Sequence, residues 1–176
     1  MLLQALDRPF ASYDGVDFSP DFVAAATSWA QSTQRRNYRF HLADIRAFCA
    51  ARAEAFDIAT TLDFSEHVED DLATEIYAAI CNSLRPGGKL YLHTPNLDFF
   101  LERAKDVGIV PQFPEHIAVR NGAQTAALLE RAGFSAQHIK VATIPHYNVL
   151  KWLHPLSQLP FAGPLFAARL WIVAQA

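Results

Sequence analysis

Chemically capable side chains gather at a few places in the chain. The stretch "LDFSEHVED" sets Asp63 three positions before Glu66 and His67, so two carboxylates and an imidazole fall within five residues. His67 has a ring whose ordinary pKa lies near neutrality, so it can take a proton from an acceptor group. With the distant His116, these residues also form a carboxylate and imidazole set of the kind that holds divalent cations. Spacing alone does not close such a site, and no metal is assigned from sequence. Two further acids, Asp17 in "YDGVDFSP" and Asp44 in "FHLADI", each follow a run that reads as a strand. His41, His93, His138, His146 and His154 are scattered and receive no role.

These groups need strands and helices to position them. "YDGVDF" reads as a short strand ending at Asp17. "SPDFVAAATSWAQS" reads as a helix, with Ser19 as N-cap, Pro20 at the first helical position and Asp21 in the first turn. "NYRFHLADI" alternates, with Tyr38, Phe40 and Leu42 on one face, and is expected to be a strand. Asp44 then either faces a ligand or caps a helix over "IRAFCAAR". "AFDIATTLD" is rich in β-branched residues and delivers Asp63 at its end. In "EDDLATEIYAAICNSLRPGG", Leu72, Ile76, Ile80 and Leu84 recur every fourth position, and the Pro86-Gly87-Gly88 run ends the helix. "KLYLHT" is a strand, "GAQTAALLERAGFS" a helix closed by Gly133, and "QHIKVATI" and "ARLWIVAQ" are the last two strands. Short helices are expected at the N-terminus and within residues 97–107. Alternating strands and helices predict an α/β fold with a mostly parallel sheet. Ligands bind such sheets at the carboxyl ends of strands, where Asp17, Asp44 and Asp63 stand.

The bulk numbers agree with one globular domain over residues 1–176. The chain is 51% hydrophobic and 19% charged, too apolar for disorder. A net charge of -3, a pI near 6.1 and no basic run beyond Arg35-Arg36 give no support for a nucleic-acid partner. Cys49 and Cys81 lack partners at metal spacing and read as free thiols of a reducing compartment. No leader is expected, because the N-terminus lacks a basic flank followed by a long apolar stretch, and no membrane span, because Pro160, Pro164 and Arg169 interrupt the apolar C-terminal segment. A cytoplasmic location follows.

In this order and punctuation the chain resembles the class I S-adenosylmethionine-dependent methyltransferases. "YDGVDFSPDFVAAA" is similar to the second strand of that fold and the helix after it. "FHLADI" is similar to the third strand, "FDIATTLDFSEHVED" to the fourth with the "EHV" signature of the small-molecule branch, and "LRPGGKLYLHTPN" to the fifth. "PEHIAVRNGAQTAALLERAGF" matches where that branch carries a late histidine and a Gly-Phe helix end. The resemblance covers roughly residues 10–176. It implies a Rossmann-like sheet, mostly parallel with an antiparallel last strand. It also implies S-adenosylmethionine as methyl donor and a small-molecule O or N acceptor. Asp17, with Phe18, would then hold the ribose hydroxyls. Asp44 and Ile45 would hold the adenine, Asp63 and Phe64 would border the methyl group, and His67 would be catalytic. Some ubiquinone-type relatives of the family hold a divalent cation on an acid-x-x-Glu-His arrangement. Phe99, Phe100, Phe113, Tyr147 and Trp152 lie where the family varies its acceptor site, although core packing is expected to account for most of them. No membrane partner is implied, and a homodimer is compatible with the reading.

The resemblance also implies something before Tyr13. The family's first strand ends in a glycine-rich loop that approaches the cofactor, and its sheet runs in the order three, two, one, four, five, seven, six. The seven glycines here stand at 15, 87, 88, 108, 122, 133 and 163, and none forms Gly-x-Gly. Only six residues separate Leu6 from Tyr13, too few for a parallel crossover, so "LLQAL" fits the tail of the helix after that loop. The fold is therefore expected to be N-terminally incomplete, with its first strand missing. The favoured cause is a start placed at an internal Met. The alternatives are a truncated product, or a rewired sheet in which the second and fourth strands pair directly or a partner fills the gap. The last of these would make the chain a non-catalytic binding or scaffold partner. On the favoured reading, protein purified from its native source has an intact mass several kilodaltons above 19.6 kDa, and a mass equal to this chain would overturn it.

Overall fold

Strands β1 (Tyr13–Asp17) and β2 (Tyr38–Leu42) lie parallel, joined by helix α1 (Pro20–Ser32). Ser19 caps α1 by accepting the Phe22 N–H, and Pro20 opens the helix where its missing N–H costs nothing. The register runs from Tyr13 opposite Tyr38 to Asp17 opposite Leu42. Gly15 is required in this pair, because a Cβ there would stand 2.6 Å from the Phe40 ring. Helix α2 (Ile45–Ala50) follows β2. The computed structural model describes residues 10–176, so the short helix expected at the N-terminus lies outside them. The described residues form two units, one ending at Ala51 and the other spanning Arg52–Ala176.

The second unit contains β3 (Phe56–Leu62), α3 (Asp70–Ser83), β4 (Leu84–Pro95), α4 (Phe100–Asp106), α5 (Gly122–Arg131), β5 (Lys140–Ile144) and β6 (Arg169–Gln175). Its sheet has the order β3-β4-β6-β5. β3 and β4 are parallel, whereas β6 runs antiparallel to both β4 and β5, as expected for the last strand. All six strands read from the sequence are present. Among the described residues β1 pairs only with β2 and β3 only with β4, so each keeps one unpaired edge.

The core of this unit is built by alternation on the strands and periodicity on the helices. Leu90, Leu92, Leu170, Ile172 and Ala174 point inward from β4 and β6 and are at most 2% exposed. Helix α3 adds Ala73, Ile76, Tyr77 and Ile80, and α5 adds Leu128 and Leu129. The stripe expected on α3 is thus displaced at its start: Leu72 is 40% exposed, and Ala73 and Tyr77 take the inward positions. The helix also stops earlier than expected. It ends at Ser83, Leu84 is already extended, and the Pro-Gly-Gly run forms a bulge inside β4. Gly88 is needed in that bulge, because a Cβ would lie 2.9 Å from the Arg85 carbonyl oxygen.

Truncating Ile172 removes a fully buried side chain between two strand partners. Ile172→Ala is expected to lower unfolding free energy by about 3 kcal/mol in urea titration, with the far-ultraviolet circular dichroism of the native fold retained.

Candidate functional site

The end of the β1–β2 pair carries the first group of predicted residues. The Ala43 N–H donates to the Asp17 carbonyl at 3.1 Å, which brings the segments after both strands side by side. Asp17 accepts the Ser19 N–H through one carboxylate oxygen, at 2.8 Å. Its other oxygen has no partner among the described residues. Phe18 beside it is 84% exposed, unusual for a large apolar side chain. Asp44 is the N-cap of α2: it accepts the Arg46 backbone N–H and also binds the Arg46 guanidinium. The hydrogen bond from the Arg46 side chain leads a set of contacts that lowers its pKa to about 2. The capping alternative for Asp44 is therefore realised, and contact with a ligand would require Arg46 to release an oxygen. Ile45, the first residue of α2, is partly exposed beside it.

In the second unit, the turn after β3 carries Asp63, Phe64, Glu66 and His67. His67 sits on a single 3-10 turn (Ser65–His67), and its Nδ1 donates to the Glu115 carbonyl at 2.7 Å. Its Nε2 has no hydrogen-bond partner among the described residues. Glu66 is 1% exposed and accepts from Thr94 at 3.1 Å, while Ser65 donates to Thr94 at 3.0 Å. The His67 and His116 rings meet edge to face with centroids 5.0 Å apart. Glu66, His67 and His116 each offer a ligand atom within 4.8 Å of the others, and Nδ1 of His116 is buried without a partner among the described residues. Three of the four residues singled out as a cation set are thus brought together, and Asp63 is not among them. Burial pushes the Glu66 carboxyl above its ordinary value. Its own backbone N–H opposes this, the Asp63 charge adds to it, and Thr94 and His67 oppose it further.

Arg120 holds this turn from below. It is 5% exposed and donates to the Ser65 carbonyl, the Val68 carbonyl and the Asp70 carboxylate, each at 2.7 Å. The Ala118 N–H donates to the Glu66 carbonyl at 3.0 Å. Residues 115–121 are therefore stitched to residues 65–70, which is how His116 reaches Glu66 and His67. Phe64 packs edge to face on Tyr77, at 6.4 Å.

Asp63 belongs to a second cluster. Its φ is +50°, a left-handed conformation that Asp tolerates better than most residues. Its N–H continues the sheet by donating to the His93 carbonyl at 2.9 Å. Its carboxylate accepts from the Arg169 guanidinium and lies 3.1 Å from Nδ1 of His93. Partial burial raises its pKa, but the His93 hydrogen bond and the charges of Arg169, His93 and His116 outweigh that and leave it below the ordinary value. Arg169 also donates through Nε to Nε2 of His93 at 2.9 Å.

His93 is the residue that sequence reasoning missed. It was set aside as one of the scattered histidines, yet it is 4% exposed near the carboxyl end of β4. The available signal was its place two residues before Pro95 in the strand "KLYLHT", beside the strand end that delivers Asp63. The aromatic residues were also misjudged. Phe99 is buried, but Phe100 at the start of α4 is 38% exposed, and Phe113, Tyr147 and Trp152, which lie between the main helices and strands, are 60%, 66% and 75% exposed.

Comparison with known proteins gives the lineage. A family model described as a methyltransferase domain matches residues 1–139. A ubiquinone biosynthesis O-methyltransferase from Xanthomonas axonopodis pv. citri (strain 306) is 32% identical over 97 residues, covering 54% of this chain and 39% of that protein. The corresponding protein from Aromatoleum aromaticum is 32% identical over 100 residues, covering 56% and 41%. The chain thus spans about two fifths of the length of these relatives. Among solved structures, a SAM-dependent methyltransferase from Archaeoglobus fulgidus superposes with a TM-score of 0.68 at 14% identity, over 93% of this chain and 75% of that one.

The raised Glu66 carboxyl has a consequence for stability. The folded state keeps this proton at pH values where the unfolded chain has lost it, so stability falls as pH rises above the ordinary glutamate value of 4.5 and levels off past the folded value. Glu66→Gln is expected to remove this part of the slope and to raise the thermal midpoint at neutral pH, read by scanning calorimetry over a pH series.

Proposed function

Because the chain belongs to the methyltransferase domain family, class I S-adenosylmethionine-dependent enzymes on a Rossmann-like sheet, we propose that it transfers a methyl group from S-adenosylmethionine to a hydroxyl oxygen of a small-molecule acceptor. The observation that carries this reading is the cluster of Glu66, His67 and His116 at the carboxyl end of β3, in a chain whose relatives are named as O-methyltransferases.

Each unit offers groups suited to part of the cofactor. Asp17 has one carboxylate oxygen committed to the Ser19 N–H and one available to a ribose diol, with the exposed Phe18 ring beside it. Ile45 supplies an apolar flank for the base, with Asp44 beside it. When bound, S-adenosylmethionine supplies an electrophilic methyl group on a sulfonium. Asp63 and Phe64 border the place where that group is expected. Nε2 of His67 would take the proton that the acceptor hydroxyl gives up as its oxygen receives the methyl group. The bond from Nδ1 to Glu115 fixes the tautomer that leaves Nε2 able to accept. The same residues would alternatively fit a divalent cation, with Nε2 of His67 as a ligand in place of its role as base, since the orphaned Nδ1 of His116 and the Glu66 carboxylate are both ligand atoms. Held there, a cation would polarise the acceptor oxygen.

Two substitutions separate binding from chemistry. Asp17→Asn keeps the turn and removes a charge-assisted pair of bonds, so S-adenosylmethionine affinity is expected to fall about tenfold or more by calorimetry. His67→Gln is expected to leave that affinity unchanged and to lower kcat about a hundredfold. No binding of S-adenosylmethionine by the unaltered chain would instead favour a non-catalytic binding partner.

A further inference from the structure

The connection between β5 and β6 presents apolar side chains to water in a fixed geometry. A 3-10 segment, Val149–Gln158, opens with Asn148 accepting the Leu150 N–H at 2.9 Å. With three residues per turn, Val149 and Trp152 fall in one column, and they are 73% and 75% exposed. Phe161 follows, fully exposed and with a φ of +62°, a conformation that a bulky aromatic residue rarely adopts. Around it the Ala162 N–H donates to the Pro160 carbonyl at 2.6 Å, a three-residue turn of the rare, strained hand. The turn is locked from behind. The Gly163 N–H donates to the Leu159 carbonyl at 2.9 Å, and Gly163 packs so closely on Ser157 that a Cβ would strike its carbonyl oxygen. Backbone strain therefore holds a phenylalanine out in water, where its ring buries no area.

The charge around these residues selects what they meet. No Asp or Glu follows Glu130, while Arg131, Lys140, Lys151 and Arg169 make this stretch net positive in a protein of net charge -3. Lys151 is exposed, with its Nζ 5.4 Å from the centre of the Trp152 ring. An apolar ring beside a long cation that can reach a charged layer suits a lipid interface, whereas lysine is depleted from protein–protein interfaces. No helix among the described residues is long and apolar enough to cross a membrane, so the contact is with a bilayer surface. We propose that residues 149–161 dock the second unit on an anionic lipid surface, with Trp152 and Phe161 among the upper acyl chains and Lys151 at the headgroups. A fluid acyl layer takes a protruding ring without a shaped pocket, which fits a phenylalanine presented alone at the tip of a turn. The resemblance implied no membrane partner, and the exposure of these side chains changes that expectation. None of the groups assigned to methyl transfer takes part, so the docking stands or falls on lipid binding alone.

The test uses the full chain and vesicles of phosphatidylcholine with or without phosphatidylglycerol, read by co-sedimentation. The chain is expected to bind the mixed vesicles about fivefold more tightly than phosphatidylcholine alone, and Lys151→Gln to erase that preference. Trp152→Ser is expected to weaken binding about tenfold. Phe161→Gly is expected to weaken it by a similar factor while raising the thermal midpoint, because glycine adopts the positive φ without strain. A residue that served only the fold would not lose binding and gain stability together. Absence of vesicle binding would overturn the proposal, as would equal binding to the two vesicle types or unchanged binding by Phe161→Gly. Dimerisation that Phe161→Gly abolishes, without vesicle binding, would overturn it in favour of a second copy of this chain.

Discussion

A buried guanidinium holds the chemistry of the second unit in place. Arg120 fills the carbonyl ends of the turn after β3 and meets Asp70 at the start of α3. Without it, the Val68 carbonyl would be buried without a donor, at a cost of about 1–3 kcal/mol, and the Ser65 carbonyl would keep only the long bond from the Val68 N–H at 3.4 Å. The bond from Nδ1 of His67 to Glu115 and the bond from Ala118 to Glu66 both depend on the segment that Arg120 anchors. So the spacing of Glu66, His67 and His116 is set by a residue that touches none of their reactive atoms.

The two clusters behind the site divide the electrostatics. Asp63, His93 and Arg169 form a nearly neutral set, with the carboxylate stabilised in its ionised form. Glu66 lies in a drier setting that favours its protonated form. Neighbouring carboxyls with pKa values pushed in opposite directions give one turn both a fixed anion and a group able to hold a proton or a cation.

The element order was legible because the signals were local. Alternation marked the strands, Ser19 and Pro20 marked α1, and the apolar repeat marked α3 to within one residue. The strand-end acids were found because strand ends are where such sheets bind ligands. Arg120 and Arg169 were not legible, since their roles come from pairings 50 or more residues apart in sequence. A lone arginine in "AVRNG" or "ARLW" carries no mark of the turn it will fill. Asp44 shows the opposite limit. A local reading offered a cap and a ligand contact, and the structure shows the cap while leaving the contact to experiment.

The position of β6 has a kinetic implication. It lies between β4 and β5, so β5 finds its sheet partner only through a strand that follows it in sequence. Until β6 is made, β4 has an open edge, and Leu90 and Leu92 lack their cross-strand partners Ala174 and Ile172. Arg169 and the carbonyls of Ala167 and Ala168 that Asn96 binds arrive in the same stretch. β3 and β4 can pair as they are made, but the β4–β6–β5 half of the sheet closes only after β6, leaving the apolar edge of β4 open to chaperones or misassembly until then.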